Sequence, residues 1–367
     1  MNDFGIVVLN ENQELSYYNT IGKIAASYEF TVRKFIPSHI DPYTEHISGK
    51  TFDADSERWR TDTFKVPDVL YDRCFYSSRH SFKTNAPIVD WLKNKTLFLG
   101  FGLPNKWKVH KALQQDDYLK NYLIDTVHAT EADTILEHLN KRGRILFKPE
   151  SGSQGKGIFV AESEGGGITV RSDRRGKTVH KTFPARSLFR KWLFSQLTRS
   201  AFLVQPFLKF QNQDGQPFDV RIVVQKNEHG LWREEGRGVR TGKKGCLVSN
   251  LHSSGKLSSF GEWLETMPGH QRPFVKEEID SIVEYLPHRL ESVFGPLFEL
   301  GIDIGVGSDG GVWILEANSK PGHRTLLEGG KTSLETLAET PLAYARHLLK
   351  QKELTEHDTT RETAKSQ

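Results

Sequence analysis

The chain has 367 residues, of which 37% are hydrophobic and 26% charged, with Lys plus Arg at 50 and Asp plus Glu at 46, for a net charge of +4. That length supports two or three modules with a sizeable core, and with no apolar run of about eighteen residues a membrane-spanning helix is excluded. The small basic excess permits an anionic ligand without singling out nucleic acid, and two cysteines far apart, Cys74 and Cys246, exclude a disulfide framework or a zinc knuckle.

The opening MNDFGIVVLN lacks the charged-then-apolar pattern of a secretory leader, which with the cysteine usage predicts a cytoplasmic protein. Apolar runs at 5–10, 67–76 and 96–102 predict buried strands of an α/β unit. A helix is expected over 105–123, with Trp107, Leu113 and Leu119 among polar residues, and another over 131–143, closed by Gly143. A strand at 144–149 ends in Lys148-Pro149. A small-residue loop follows, Glu150-Ser151-Gly152-Ser153-Gln154-Gly155-Lys156-Gly157, and then a returning strand. The pattern gives a helix at 185–198, strands at 202–210 and 219–225, and a Gly- and Lys/Arg-rich loop over 234–255. A helix at 275–295, with Pro287 as a kink, precedes strands at 299–306 and 311–318 and a last helix near 332–349. The polar tail from Gln351 reads as disordered.

The most informative segment is 301–322. Asp309-Gly310 suits a two-residue hairpin turn, whose positions need positive φ. That turn couples residue 308 with 311 and, further along, Asp303 with Glu316. Asn318 falls on the same face, because strand side chains alternate. Directly paired residues have β-carbons about 4.5–5.5 Å apart. Two carboxylates so close need a shared proton, a Lys or Arg, or a bound metal. Oxygen-only donors suit a hard divalent ion rather than Zn²⁺. A salt-bridged surface hairpin is the bland alternative, and a one-residue slip in register would separate the faces.

A carboxylate-held Mg²⁺ commonly bridges phosphate oxygens, so phosphate binders are sought next. Lys148 and the small-residue loop fit, since glycines let backbone N–H groups approach phosphate and lysine adds charge. The loop is neither a Walker A motif nor a dinucleotide turn, and a plain Gly-rich hairpin would look the same. Lys108 and Lys111 share a helical face, which is equally what a solvated surface would show. Downstream come Gln205-Pro206-Phe207-Leu208, Asp219-Val220-Arg221 and Ser249-Asn250-Leu251-His252.

This order resembles the ATP-grasp superfamily over about 106–350, nearest to the glutamate ligases that modify ribosomal protein. The whole chain, through YDRCFY, KWKVHKAL, QPFDVRIVV, VSNLHSSGK and GIDIGV…ILEANSKPG, is similar to the YheC/YheD endospore-coat-associated family of ATP-grasp proteins. The resemblance implies an α/β (α+β) chain. An N-terminal Rossmann-like pre-ATP-grasp domain would span 1–104. An ATP-grasp domain would span 105–350, divided at 203/204, before a disordered tail at 351–367. It implies ATP with one or two Mg²⁺, Mn²⁺ being the substitute ion, held by Asp303, Glu316 and Asn318. Lys148 would contact the α- and β-phosphates and the adenine edge. Lys108 or Lys111 would be the earlier phosphate lysine, with Lys108 favoured. Ser153, Gln154 and Gly155 would close over the phosphates. Gln205, Pro206, Phe207 and Leu208 would form the hinge strand that reads adenine through its backbone. Asp219 would lie near the ribose, with Arg221 beside it, and Asn250 matches an asparagine upstream of the metal hairpin.

Two positions depart from that pattern. Pro206 has no N–H, so Leu208 must supply the hinge donor. Val248 stands where related ligases carry an arginine, so a transition-state cation must come from Arg240, Lys243, Lys244 or Arg221. The implied activity is carboxylate–amine ligation through an acylphosphate, with ATP and an unidentified carboxylate and amine as substrates. The Val248 departure favours a non-catalytic ATP-binding structural or sensing component of the spore coat as the alternative, with spore-coat proteins as partners. A kinase-like phosphotransferase is a further reading. A nucleic-acid binder rests only on the basic segments 171–191 and 233–244, which lack interleaved aromatics, and ranks last. Arg73 is a candidate carboxylate clamp, and His110, His252 and His323 are candidate acid–base groups.

Overall fold

Three sheets organise the chain in the computed structural model, which describes residues 1–76, 78–152, 157–174, 177–249, 255–328 and 332–365. The first contains β1 (Asn2–Val7), β2 (Phe30–Phe35), β3 (Ile47–Asp53), β4 (Arg58–Phe64), β5 (Val69–Asp72) and β6 (Leu97–Phe98), in the order β4-β3-β2-β1-β5-β6. β2, β1, β5 and β6 are parallel, while β3 and β4 extend the sheet as an antiparallel ribbon. The run GIVV is apolar at successive positions because both faces of β1 are covered. Phe4 and Ile6 pack with α1 (Leu15–Ile24), whereas Val7 packs with α2 (Arg79–Lys93). The β3–β4 ribbon and α1 are not legible from the apolar runs, because both carry many exposed polar residues.

The expected helix over 105–123 is two pieces. α3 (Lys106–Gln114) stops, and a 3₁₀ turn at Leu119–Tyr122 follows. Asp116 causes the break: its carboxylate accepts from the N–H groups of Tyr118 and Leu119 and so restarts the chain. The second sheet contains β7 (Val127–Ala129), β8 (Arg144–Pro149), β9 (Phe159–Glu164), β10 (Gly167–Arg174), β11 (Lys177–Phe183) and β12 (Phe202–Pro206), all antiparallel. One face is covered by α4 (Ala132–Arg142) and α5 (Arg186–Leu197), which bury Ile145, Phe147, Phe202 and Val204. By alternation Leu146, Lys148 and Gln205 face the other way.

The third sheet contains β13 (Phe218–Lys226), β14 (Trp232–Thr241), β15 (Lys256–Ser259), β16 (Glu299–Val306) and β17 (Val312–Asn318), again antiparallel. α6 (Phe260–Glu265) leads to α7 (Arg272–Phe294), which buries Val275, Ile279, Ile282, Leu286 and Leu290 against Val220, Ile222, Ile302 and Ile304. Each such side chain contributes about 1.5–3 kcal/mol by leaving water. α7 runs through Pro287 without a break. The region expected as a loop over 234–255 is a strand in its first part. Gly236 and Gly238 lie under Leu326 and Thr325 of α8 (Arg324–Glu328), so glycine there marks close packing rather than a turn. α9 (Leu334–Lys365) continues through the tail expected to be disordered.

Candidate active site

The bare faces of the second and third sheets and the start of α1 enclose a cleft of about 820 Å³. Its charged wall follows from register. Asp219 on β13 is paired with Arg240 on β14, and Arg221 is paired with Asp303 on β16, which is itself paired with Glu316 on β17. All five side chains line the cleft, as does Asn318.

Asp303 therefore faces Glu316 as expected, by a route that differs from the expected one. The pairings nearer the turn are Ile304 with Ile314 and Val306 with Val312, one residue out of the expected register. The loop is wider than two residues: Gly307 N–H donates to the Gly311 carbonyl at 2.8 Å, and Asp309 Oδ1 accepts from Gly311 N–H at 3.0 Å. A bulge at Leu315 then restores the register, which re-aims Glu316.

Cations offset the carboxylates. Arg240 grips Asp219 with Nε 2.6 Å from Oδ1 and Nη2 2.7 Å from Oδ2. Its Nη2 also lies 3.0 Å from Asp303 Oδ1, and Arg221 Nε lies 2.7 Å from the same oxygen. Burial works against the Arg240 charge, but Asp219 and Asp303 hold it above its ordinary range. Burial wins at Arg221, which is lowered despite Asp303. Asp303 Oδ1 is buried yet accepts no aligned hydrogen bond. Ser249 Oγ donates to Asp219 Oδ2 at 2.5 Å. Among the described residues no three His, Cys, Asp or Glu side chains converge as a metal cluster. An ion here would take Asp303, Glu316 and the Asn318 amide, with phosphate oxygens or water completing its shell. An under-bonded buried carboxylate oxygen and an all-oxygen donor set fit that group.

Lys148 lines the cleft opposite, and burial, opposed by Glu316, lowers its pKa to about 8. The earlier lysine in the cleft is Lys106, rather than Lys108 or Lys111. Lys106 Nζ lies 3.6 Å from Glu316 Oε2 and donates to the Gly152 carbonyl at 2.8 Å. Lys108 and Lys111 are exposed and outside the cleft. The reason is helical phase. Asn105 caps α3, so Lys106 opens the helix at the end facing the cleft, and Lys108 lies about 200° further round. The loop base is tied to the same helix end by Asn105 Nδ2, 2.7 Å from Glu150, and to β7 by His128 Nε2, 3.2 Å from it. Ser153, Gln154, Gly155, Asn250 and His252 lie outside the described residues.

Gln205, Pro206, Phe207 and Leu208 line the other end of the cleft with Leu146, Ile158 and Leu315. Phe207 N–H is bonded to the Arg144 carbonyl at 3.4 Å, and Pro206 has none, which leaves Leu208 as the donor. Lys243 and Lys244 are exposed and do not line the cleft, whereas Arg221, Arg240 and Val248 do. Arg73 is no clamp. It is fully buried and binds Glu14, Glu299 at 2.6 Å and the Pro321 carbonyl at 3.1 Å. His323 packs on Tyr17 with its Nε2 3.6 Å from Glu299, and His110 stacks on Trp107 away from the cleft. The sequence signal for Lys106 was the Asn105 cap; Gln13 and Glu14, just before α1, also line the cleft and carry no such signal.

A family model described as YheC/D like ATP-grasp matches residues 95–348. The endospore coat-associated protein YheC of Bacillus subtilis (strain 168) is 32% identical over 94% of this chain and 95% of its own. Among solved structures, D-cycloserine synthetase DcsG aligns over 95% of this chain and 99% of its own, with TM-score 0.54 and 12% identity. The ATP-grasp ligase PsnB, complexed with a minimal precursor, aligns over 94% and 100%, with TM-score 0.54 and 12% identity.

Proposed function

The chain belongs to the YheC/D-like ATP-grasp family, and from that premise we propose that it uses ATP to activate a carboxylate for ligation. The observation that supports this reading most is the convergence, in one cleft, of Lys106 and Lys148 with Asp303, Glu316, Asn318, Arg221 and Arg240. The apolar end beneath Gln205–Leu208 takes the adenine, with the Pro206 carbonyl and Leu208 N–H as its backbone partners. Lys148 and Lys106 neutralise the phosphates. Asp303, Glu316 and Asn318 hold Mg²⁺, which when bound supplies charge neutralisation at the phosphate oxygens.

A substrate carboxylate oxygen attacks the γ-phosphorus, the bond to the β,γ-bridging oxygen breaks, and ADP leaves with that electron pair. A neutral amine then attacks the acyl carbon, the C–O bond breaks with its electron pair leaving on inorganic phosphate, and the nitrogen releases one proton to solvent to give the amide. The protein's part is positioning and charge stabilisation, as for phosphoryl transfer generally. Arg240 is held rigidly by Asp219, so its charge is pre-oriented toward the phosphate end. Coulomb attraction there is strengthened by partial exclusion of water.

ADP release assayed with nucleotide, Mg²⁺ and a panel of carboxylates and amines tests the reading. Nucleotide binding without ADP release across the panel would instead favour a structural or sensing ATP-binding role. The name of the Bacillus subtilis relative, which links that protein to the endospore coat, supports coat association for this chain. Among the described residues no helix is long and apolar enough to cross a membrane.

A further inference from the structure

Away from the hinge strand, the cleft is walled by the start of α1, the segment after β5 and the segment after Asn318. The charges of this wall are engaged. Arg73 Nη2 lies 2.6 Å from Glu14 Oε1 and 2.8 Å from Oε2. Lys320 Nζ lies 2.7 Å from Asp72 and donates to the Cys74 carbonyl at 3.2 Å. Beside the exposed Ser16 and Arg324, the wall presents apolar side chains. Leu15, Phe75 and Leu327 line the cleft while 38%, 39% and 37% exposed, and Leu334 lines it half-buried. Arg73 sits 4.9 Å from the Phe75 ring centroid and sets that side chain in place. Singly scattered exposed apolar residues need no explanation, but three from distant parts of the chain in one cleft do.

This wall is continuous with the reacting end. Arg221 and Pro321 both close on Gly301, two residues before Asp303. Arg324, at the start of α8, lines the same cleft. We propose that the acceptor substrate is a carboxylic acid with an apolar body, in the size range of a leucyl or phenylalanyl residue. A charged body at this wall would lose water beside the Glu14–Arg73 and Lys320–Asp72 pairs, whose charges already satisfy one another. An apolar body disturbs neither pair and covers Leu15, Phe75 and Leu327. The assignment rests on the phosphoryl-transfer reading of the cleft.

The experiment uses the full chain saturated with Mg²⁺ and a non-hydrolysable ATP analogue, titrated calorimetrically with N-acetyl-leucine, N-acetyl-phenylalanine, N-acetyl-glycine and N-acetyl-aspartate. The two apolar acids are expected to bind at least about tenfold tighter than the other two, in line with what hydrophobic pockets discriminate. Phe75→Ser and Leu327→Ser are each expected to weaken apolar-acid binding by about fivefold or more, while analogue affinity changes less than about twofold. Equal or tighter binding of N-acetyl-aspartate overturns the proposal. So does binding of none of the acids to the analogue-saturated protein, or apolar-acid binding that neither variant changes. Failure of the analogue itself to bind overturns the phosphoryl-transfer reading, and this proposal with it.

Discussion

Arg221 Nε stands 2.7 Å from Asp303 Oδ1, yet neither that oxygen nor Arg221 Nη1 makes an aligned hydrogen bond. The pair is held together by charge and by its cross-strand register, not by a closed hydrogen-bond fork. Its oxygen therefore keeps bonding capacity for the metal-donor role that the proposed function would give it.

Removing the carboxylate charge opposite should expose that dependence. Glu316→Gln keeps the shape of the side chain and half of its acceptor capacity. It is expected to weaken Mg²⁺-dependent ATP binding by about tenfold or more, since charge-assisted contacts contribute about 1.5–3 kcal/mol. Calorimetry with and without Mg²⁺ measures this, with circular dichroism to check the fold. Unchanged affinity in Mg²⁺ would remove Glu316 from the site.

The lysines at the start of α3 should not behave alike. Lys106→Ala is expected to weaken ATP binding by about tenfold, whereas Lys108→Ala and Lys111→Ala change it by less than about twofold. Fluorescence titration of the three variants with ATP decides the matter. A larger effect at Lys108 than at Lys106 would contradict the placement of the helix end.

Lys148 gives the site a pH dependence. Its folded pKa of about 8 lies below the roughly 10.4 of a free lysine. Between these values the unfolded chain binds more protons, so the stability of the ligand-free protein rises with pH there. Bound phosphate favours the charged lysine and pushes its pKa back up. Nucleotide binding at about pH 9 should then take up close to one proton, and at pH 7 far less. Calorimetry in buffers of different ionisation enthalpy measures the uptake, and Lys148→Met should abolish it. Equal uptake in the variant would assign the proton elsewhere.

Arg73→Met should be structural in its effect. Burial works to raise the Glu299 carboxyl, but Arg73 and His323 hold it below its ordinary range, so removing Arg73 leaves a buried charge uncompensated. The expected loss is about 3–5 kcal/mol, read as a shift of the urea midpoint. A loss below about 1 kcal/mol would mean that Glu299 is neutral in the folded chain.

Periodicity and turn chemistry carried the local part of this molecule. The apolar runs at 144–149 and 219–225 marked the strands that carry Lys148, Asp219 and Arg221. The hairpin after Gly301 brought Asp303 to Glu316, because pairing depends mostly on residues close in sequence. The tertiary structure decided the rest. Leu315 had to bulge for that pairing to survive a wider loop. Lys106 displaced Lys108 because helical phase is fixed by where Asn105 caps the helix. Glu14, Arg73 and Glu299, far apart along the chain, meet only where the first sheet packs on the third. Burial is what turns such a meeting into an interaction, since it alone removes the water that would otherwise screen those charges.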